Sequence, residues 1–340
     1  MRLMRTEDAV GQVICHDITQ IIKDVTKDAV FRKGHIIAEE DIPVLLSVGK
    51  DHIYVWENDE TMMHENDAAE VLCAICRGDN MSRGQVKEGK IELSAECDGV
   101  FRIDREKLMA VNSFGQMMIA TRHGDFPVRK GDKLAGTRII PLVIEKEKME
   151  QVKAAAGDKP ILRVEPFIYR KAGIVSTGNE VFYGRIRDEF TPVVKAKLEE
   201  YGAEVAGIRI SDDNNENIEK CIRAFIDEGC DLVVCTGGMS VDPDDRTPLA
   251  IRNVCGSAVT YGAPVLPGAM FMLAYYGENK IPVMGLPGCV MYARRTIFDI
   301  VLPRIMTGEI LDKNDFDKLG EGGLCLNCEV CTFPNCGFGK

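Results

Sequence analysis

Two groups of side chains in this sequence have the types and spacing of chemical sites. The first is the acidic loop in "CTGGMSVDPDDRTP", where Asp242, Asp244 and Asp245 follow Gly237 and Gly238. Mg²⁺ is usually bound by one or two carboxylates together with substrate phosphates, so Asp244 and Asp245 are candidate Mg²⁺ ligands. An aspartate in such a loop is also a common solvated turn residue, and that interpretation stays open.

The second group is a run of cysteines, "CLNCEVCTFPNC", with C-x2-C-x2-C-x4-C spacing through Cys325, Cys328, Cys331 and Cys336. Four thiolates on a segment too short for its own core match the needs of Zn²⁺ or an Fe–S cluster. The first three follow the spacing of bacterial ferredoxins. The spacing does not choose the metal, and a flexible, oxidisable tail is the alternative.

The remaining cysteines give weaker signals. The chain has 13 cysteines, and with no secretory signal a disulfide framework is not expected. Cys73 and Cys76 form a C-x2-C pair, but an apolar i, i+3 contact on a helix explains them more simply than a metal does. The others lie in apolar sequence and are expected to be small buried hydrophobes, as for Cys221, Cys230, Cys235, Cys255 and Cys289.

Composition limits the class of protein. The 340 residues are 45% hydrophobic and 28% charged, which allows two or three domains with cores of their own. A net charge of -11 argues against nucleic-acid or membrane-surface partners. The N-terminal residues lack an apolar signal region, and no run of about 18 apolar residues occurs. We therefore expect a cytoplasmic protein with no membrane partner.

Residues 1–165 are predicted to form a β-rich α+β region, with two subdomains as one option. Helices are predicted at "EEDIPVLLSVG", within 59–84 and at "EKEKMEQVKAAAGDKP". Strands are predicted over 90–145, including "GVFRIDREKLMAVN" and a hairpin at "VRKGDKLAG".

From residue 166 to 310 the sequence alternates regularly between strand and helix patterns. The apolar runs "AGIVSTG", "DLVVCTGG" and "IPVMGLPG" each end in glycine, and Ile218, Ile222 and Phe225 share a helix face. This pattern predicts an α/β domain with a mostly parallel sheet covered on both faces. Ligands of such sheets bind beyond the carboxyl ends of the strands, so the Thr-Gly-Gly turn is a candidate anion cradle. Residues 311–340 are predicted to be a linker and a metal-binding tail.

Four stretches in order and spacing carry a family resemblance: "STGNEVFYGRIRDEFTPVVKAKLEEYG", "VVCTGGMSVDPDDRTPLAI", "PVLPGAMF" and "VMGLPGCVMYARRTIFDIVLPRIMTGE". They resemble the molybdopterin-binding domain shared by the molybdopterin adenylyltransferases and molybdenumtransferases of molybdenum-cofactor assembly. The resemblance covers about residues 170–308. It implies a three-layer α/β fold and a homo-oligomer, either a dimer or a trimer.

The resemblance also implies roles for individual residues. Asp245 would be catalytic and tied to Mg²⁺. The implied cofactor-binding residues are Thr177, Gly178, Glu180 and Asp188 near the first loop, Thr236, Gly237, Gly238 and Ser240 in the second, and Pro267, Gly268, Leu286, Pro287 and Gly288 in the two later loops.

The sequence departs from the family pattern at several positions. Asn179 replaces an aspartate, Asp242 replaces a glycine, and Cys289 follows the Leu-Pro-Gly turn. At Ala269 and Met270 the usual Lys-Pro is absent. The missing lysine weakens the case for catalysis, because charge-assisted contacts carry much of oxyanion binding. The Met-Asp-Gly-Tyr-Ala segment of full-length molybdenumtransferases is also not found.

The sequence is consistent with two functions. As an enzyme, the protein would bind adenylylated molybdopterin and catalyse Mg²⁺-dependent insertion of molybdate with release of AMP. As a carrier or sensor, it would hold molybdopterin or finished cofactor without turnover and dock to a molybdoenzyme or another assembly protein. The retained Asp245 favours the enzyme, and the missing lysine and the cysteine tail favour the carrier. The sequence does not distinguish molybdenum from tungsten.

Overall fold

The computed structural model describes residues 1–22, 26–56, 59–168 and 170–340. The helices are α1 (Asp41–Ser47), α2 (Glu65–Cys76), α3 (Arg105–Ser113), α4 (Lys146–Ala156), α5 (Asn179–Phe182), α6 (Phe190–Glu200), α7 (Asn215–Asp227), α8 (Thr247–Cys255), α9 (Ile297–Met306) and α10 (Lys313–Asp317). The strands are β1 (Arg2–Arg5), β2 (Ile18–Ile22), β3 (Thr26–Phe31), β4 (His52–Val55), β5 (Met62–His64), β6 (Met81–Arg83), β7 (Lys90–Ala95), β8 (Gly99–Ile103), β9 (Met117–Thr121), β10 (Phe126–Val128), β11 (Lys133–Ile139), β12 (Val143–Glu145), β13 (Leu162–Pro166), β14 (Arg170–Thr177), β15 (Ala203–Ser211), β16 (Leu232–Thr236), β17 (Ala258–Tyr261), β18 (Met272–Tyr276) and β19 (Ile281–Leu286).

The chain divides into two compact units. The N-terminal unit contains Met1–Glu96, Ile103–Arg122 and Gly131–Arg163. The C-terminal unit contains Cys97–Arg102, His123–Lys130 and Val164–Lys340. No helix in the described ranges is both long and apolar enough to cross a membrane.

The N-terminal unit is β-rich with several helices, as predicted. Its largest sheet is antiparallel, in the order β6-β7-β11-β9. Two sequence-based predictions are wrong. The run predicted as strand after residue 103 contains α3, which begins because the Asp104 carboxylate accepts a hydrogen bond from the Lys107 N–H. The predicted hairpin does not form, since β10, which belongs to the C-terminal unit, pairs with β8, whereas β11 pairs with β7 and β9.

The C-terminal unit is built on a six-stranded sheet in the order β15-β14-β16-β19-β18-β17. The first four strands are parallel, and β18 and β17 form antiparallel pairs at the other side of the sheet. The prediction of an α/β domain with a mostly parallel sheet is therefore confirmed. β17 and β18 are short, and their sequences do not distinguish them from the surrounding loops.

Helices cover both faces of this sheet. Successive residues of β16 point to opposite sides: Leu232 and Val234 belong to one buried cluster, and Val233 and Cys235 to another. The first cluster includes buried side chains of α6 and α9, and the second includes those of α7 and α8. The arrangement is a three-layer sandwich, and each fully buried aliphatic side chain contributes roughly 1.5–3 kcal/mol to its stability.

The register of the parallel strands brings four loops to one edge of the sheet. Thr177 at the end of β14 is paired with Ser211 at the end of β15. Ser176 is paired with Thr236 at the end of β16, and Thr236 with Leu286 at the end of β19. Because the carboxyl ends are level, the loops that follow these four strands converge.

The segment after α9 is packed against the C-terminal unit. Asp312 and Asp315 form a capping box at α10, and Phe316 is 1% exposed. Leu311 is also buried. The segment predicted as a linker therefore contains a short anchored helix before the cysteine tail.

Candidate functional site

A cleft of about 880 Å³ lies at the carboxyl edge of the parallel strands. The loops that follow β14, β15 and β16 form much of its wall, and the segment before α6 forms another part of it. The wall includes Ser176, Thr177, Gly178, Glu180, Val181, Ile186, Arg187, Glu189, Phe190, Asp213, Gly237, Gly238, Asp242, Pro243, Asp244, Asp245 and Met291. The structure thus brings together Thr177, Gly178 and Glu180 with Gly237, Gly238, Asp244 and Asp245, all of which the sequence analysis selected.

The glycine turn after β16 lies too close to β14 for any side chain. A Cβ atom on Gly237 would lie 2.2 Å from the Thr177 backbone oxygen, and the residue has φ +86°. The Thr177 hydroxyl donates to the Thr236 backbone oxygen at 3.1 Å and lies 2.9 Å from the Thr247 hydroxyl. These contacts hold the glycine turn against the beginning of α8. Because Gly237 and Gly238 carry no side chain, this part of the cleft wall is backbone.

The cleft wall is strongly acidic. It carries the carboxylates of Glu180, Glu189, Asp213, Asp242, Asp244 and Asp245. Among the described wall residues Arg187 is the only cation, and its side chain is 87% exposed. An anionic ligand therefore meets like charges in this cleft unless a metal cation accompanies it.

Asp213 is a wall residue that the sequence analysis missed. Its carboxylate accepts a hydrogen bond from the Asn179 N–H at 2.9 Å. Burial, followed by the nearby charges of Glu180 and Asp245, nevertheless raises the pKa of Asp213 above its usual range. Its position after β15, the strand next to β14, is the signal that would have identified it.

We expect Asp213→Asn to stabilise the protein at neutral pH and to lose this effect in acid. Because the pKa of Asp213 is raised by folding, its ionisation favours the unfolded state, and stability is lost as the pH rises through the folded pKa. The asparagine oxygen can still accept the Asn179 hydrogen bond. Thermal unfolding of both proteins between about pH 3 and pH 7 is the measurement. A variant that is less stable at neutral pH would contradict the assignment of a raised pKa to Asp213.

Asp188, an implied cofactor-binding residue, caps a helix in this structure. Its carboxylate accepts hydrogen bonds from the backbone N–H groups of Phe190 at 2.9 Å and Thr191 at 3.0 Å, where α6 begins. Burial opposes its ionisation, but these hydrogen bonds and that of the Thr191 hydroxyl outweigh it, so the pKa of Asp188 is lowered. Asp188 therefore positions the segment that carries Glu189 and Phe190 into the cleft wall.

The other implied cofactor-binding residues lie outside the described cleft wall. Thr236 and Leu286 are fully buried ends of strands, and among the described residues the buried Thr236 hydroxyl has no hydrogen-bond partner. The backbone oxygen of Ser240 accepts a hydrogen bond from the Tyr261 hydroxyl at 3.2 Å. Pro287 precedes a short 3-10 helix that begins at Gly288, and Gly268 packs against Ile297.

Pro267 contributes to a different cavity, of about 710 Å³, whose wall contains all four tail cysteines. Cys325 and Cys336 are half-buried, whereas Cys328 and Cys331 are exposed. Arg294 and Arg295 also line this cavity. Within the residues that the structure describes, no three His, Cys, Asp or Glu side chains come together as a preformed single-metal site.

The two cysteines of the Cys73–Cys76 pair are core residues. Both are buried on α2, at 3% and 0% exposure. Burial raises the pKa of each thiol, which disfavours the thiolate that a metal would need. The interpretation of this pair as apolar helix contacts is confirmed.

Two family models match parts of the chain. Residues 173–307 match the model of a probable molybdopterin binding domain, and residues 3–57 match a domain of unknown function. The first match contains the six-stranded sheet from Gly173 onward, all described wall residues of the cleft, and α9. It confirms the resemblance seen in the sequence for this part of the chain.

Curated relatives match a short segment. A CinA-like protein of Mycobacterium avium (strain 104) is 39% identical over 95 residues, which are 28% of this chain and 22% of the relative. A CinA-like protein of Mycobacterium tuberculosis (strain ATCC 25618 / H37Rv) is 40% identical over 86 residues, 25% of this chain and 20% of the relative. The chain thus spans about a fifth of the length of these relatives.

Two solved structures of similar proteins match less than half of this chain. The molybdopterin biosynthesis enzyme MoaB from Thermus thermophilus is 24% identical, with a TM-score of 0.36, over 41% of this chain and 98% of that protein. The tungsten cofactor synthesizing protein MoaB from Pyrococcus furiosus is 20% identical, with a TM-score of 0.32, over 36% of this chain and 84% of that protein.

Proposed function

We propose that this chain, in which residues 173–307 match a probable molybdopterin binding domain, binds molybdopterin or its adenylylated form in the acidic cleft and acts in molybdenum-cofactor assembly. The observation that carries the proposal is the convergence of the glycine turn and the aspartates of one loop in a single cleft at the carboxyl ends of parallel strands. Ligands of open α/β sheets bind at this edge.

The glycine turn is the proposed contact for the phosphate side of the ligand. Gly237 and Gly238 expose backbone next to the beginning of α8, and the N–H groups of a helix N-terminus favour negative charge. Thr177 supports this turn from β14 through its hydroxyl contacts. A phosphate held here would lie in the same cleft as Asp244 and Asp245.

The carboxylates of the acidic loop fit a Mg²⁺ ion that is bound jointly by the protein and by the phosphates of the pterin ligand. We propose Asp245, together with Asp244, as its protein ligands. Mg²⁺ keeps several waters and commonly uses only one or two carboxylates when substrate phosphates are present. The ion would also offset the repulsion between an anionic ligand and the acidic wall. When bound, Mg²⁺ supplies Lewis-acid polarisation of the phosphate link.

In the enzymatic form of the proposal, the protein inserts molybdate into adenylylated molybdopterin and releases AMP. The glycine turn would hold the phosphates and Asp245 would hold the metal, beside the apolar wall residues Phe190 and Met291. This function accounts for the retention of Asp245 in the cleft.

A carrier without turnover is the second candidate, and the charge of the cleft favours it. Arg187 is the only cation among the described wall residues, and the loop at Ala269 and Met270 supplies no lysine. Molybdate is an anion, so a reacting site would be expected to offer it more positive charge. A carrier needs only to hold the pterin and its phosphate.

One experiment separates the two functions. The full chain, purified anaerobically, is incubated with adenylylated molybdopterin, Mg²⁺ and molybdate, and released AMP and protein-bound pterin are measured together. Molybdate-dependent release of AMP establishes the enzyme. Retention of pterin without AMP establishes the carrier. If pterin is not retained and AMP is not released, the proposed function is wrong.

We also propose that the four tail cysteines hold a metal, either Zn²⁺ or iron in an Fe–S cluster. In support of this proposal, all four cysteines line one cavity. This second site shares no wall residue with the described cleft wall.

A further inference from the structure

The imidazole of His64 uses both of its ring nitrogens at the beginning of α2. Its Nδ1 accepts a hydrogen bond from the Asn66 N–H at 3.1 Å, and its Nε2 lies 2.8 Å from the Cys15 backbone oxygen. A backbone N–H can only donate and a carbonyl oxygen can only accept, so Nδ1 carries no proton and Nε2 carries one. The two contacts together require the neutral ring.

This ring joins two parts of the N-terminal unit. On one side, His64 is the N-cap residue of α2. On the other side is the segment at Cys15, whose neighbours Ile14 and Ile18 belong to a cluster of buried side chains within residues 9–55. His64 is 4% exposed and Cys15 is 0% exposed. The hydrogen bond between them therefore fastens the Cys15 segment to the beginning of the helix.

A proton on Nδ1 would break this arrangement. The protonated ring would direct an N–H at the Asn66 N–H, and α2 would lose the acceptor that caps it. The ring would also place a positive charge at a helix N-terminus, where the aligned peptide dipoles disfavour cations. Both effects favour a conformation in which the ring has left its present contacts.

Charged and titratable groups approach the ring from three segments of the N-terminal unit: Asp67 of α2, His16 and Asp17 next to Cys15, and Lys33 after β3. Burial has the largest effect on the pKa of His64 and lowers it, and the charge of Lys33 lowers it as well. The hydrogen bond to Cys15 and the charges of Asp67 and Asp17 raise it, but the net pKa lies below that of an ordinary histidine. The neutral ring is thus favoured by the surroundings as well as by its two hydrogen bonds.

Two neighbouring groups also titrate, and the signs of their effects differ. Burial is the largest cause that raises the pKa of Glu65, so protonation of Glu65 in acid favours the folded state and cannot open this contact. Burial lowers the pKa of His16, which acts in the same direction as His64. The Nδ1 of His16, however, has no hydrogen-bond partner among the described residues, so its protonation breaks no bond there.

We propose that His64 is a pH-sensitive latch that holds the Cys15 segment on the beginning of α2 while its ring is neutral and releases that segment when the ring is protonated. The helix itself stays anchored, because the Asn66 side-chain oxygen accepts a hydrogen bond from the Gly89 N–H at 2.9 Å. The latch is independent of pterin binding in the cleft and of a metal in the tail.

The direction of the pH dependence follows from the lowered pKa of His64 in the closed state. Above the ordinary histidine pKa of about 6.5, the ring is neutral in both the closed and the open state, and closure has its full stability. Below that pH the open state binds the proton more readily. The closed state is then disfavoured by up to about tenfold per pH unit, until the pH falls below the pKa of the closed state.

The test is amide hydrogen exchange of the full chain between about pH 4.5 and pH 7.5, corrected for the intrinsic pH dependence of exchange. We expect the protection of the Asn66 amide and of the amides around Cys15 to fall together as the pH falls below about 6.5. Trp56 is the only tryptophan, and its ring centroid lies 6.4 Å from that of His64. Its fluorescence should change over the same pH range.

His64→Asn and His64→Gln cannot be protonated in this range, and the shorter side chain can still cap α2 while the longer one can still reach the Cys15 oxygen. Both variants should lose the fall in protection at low pH. His52→Gln removes an exposed histidine on β4 and is the matched control, which should keep the pH profile. His16→Gln should keep it as well.

Three results would overturn the inference. A fall in protection that persists in both His64 variants would assign the transition to another group, and its disappearance in His16→Gln would assign it to His16. Constant protection of the unmodified chain over the whole range would show that protonation does not open the contact. A merely structural role of His64 predicts this last result, with protection in the variants lowered equally at every pH.

Discussion

Asp245→Ala is expected to lower the rate of molybdate-dependent AMP release on the order of 100-fold or more, while leaving most pterin retention intact. The carboxylate is the proposed Mg²⁺ ligand in the cleft wall, so its loss removes stabilisation of charge that develops during the reaction. The backbone hydrogen bond from the Asp245 N–H to the Asp242 oxygen does not use the side chain, and the loop should keep its path.

The control for this experiment is Glu278→Ala. Glu278 is an exposed carboxylate in the turn between β18 and β19, so this change removes the same charge away from the cleft. Its rate should match that of the unmodified protein. If Asp245→Ala retains the full rate and the same dependence on Mg²⁺ concentration, Asp245 does not hold the metal.

Gly237→Ala is expected to destabilise the C-terminal unit by about 3 kcal/mol or more and to abolish pterin binding. The added Cβ atom would lie 2.2 Å from the Thr177 backbone oxygen, which belongs to a sheet strand and has little freedom to move. The steric clash can be relieved only if the glycine turn shifts, and that shift displaces the proposed phosphate contact. Chemical denaturation and pterin retention measure the two effects.

Gly202→Ala separates the two causes of this loss. Gly202 also has a positive φ, +83°, but a Cβ atom there would meet no atom within 4 Å. It should cost only the conformational strain of a left-handed residue, about 1–2 kcal/mol, and should leave pterin binding unchanged. Equal losses of stability in the two variants would show that the close approach to Thr177 is not the cause.

The sequence predicted the sheet and the centre of the cleft well, because both depend on local patterns. Alternating strands and amphipathic helices identify a parallel sheet, and its carboxyl ends identify the ligand edge. The glycine turn follows directly from that rule, whereas Thr177 was selected through the family resemblance. In the N-terminal unit, α3 was missed because a short apolar segment does not distinguish strand from helix by periodicity, although Asp104 carried a capping signal.

Some residues reach a site only because two strands or loops are neighbours in the folded protein. Their positions could not be predicted from the sequence. Asp213 enters the cleft only because β15 lies beside β14 in the sheet order. The resemblance implies that Asp188 binds the cofactor, and it gave no sign that the Asp188 carboxylate also caps α6. Pro267 lies with the tail cysteines because the backbone of Leu266 pairs with Leu324, a contact between segments far apart in the sequence.

One short segment forms part of both cavities. Met291 belongs to the wall of the acidic cleft, and the next four residues, from Tyr292 to Arg295, belong to the wall of the cysteine cavity. If occupation of one cavity shifts this segment, the affinity of the other must change by the same factor in both directions, since linkage between binding sites is reciprocal. Pterin affinity measured with and without metal in the tail would then give a single coupling free energy for the two sites.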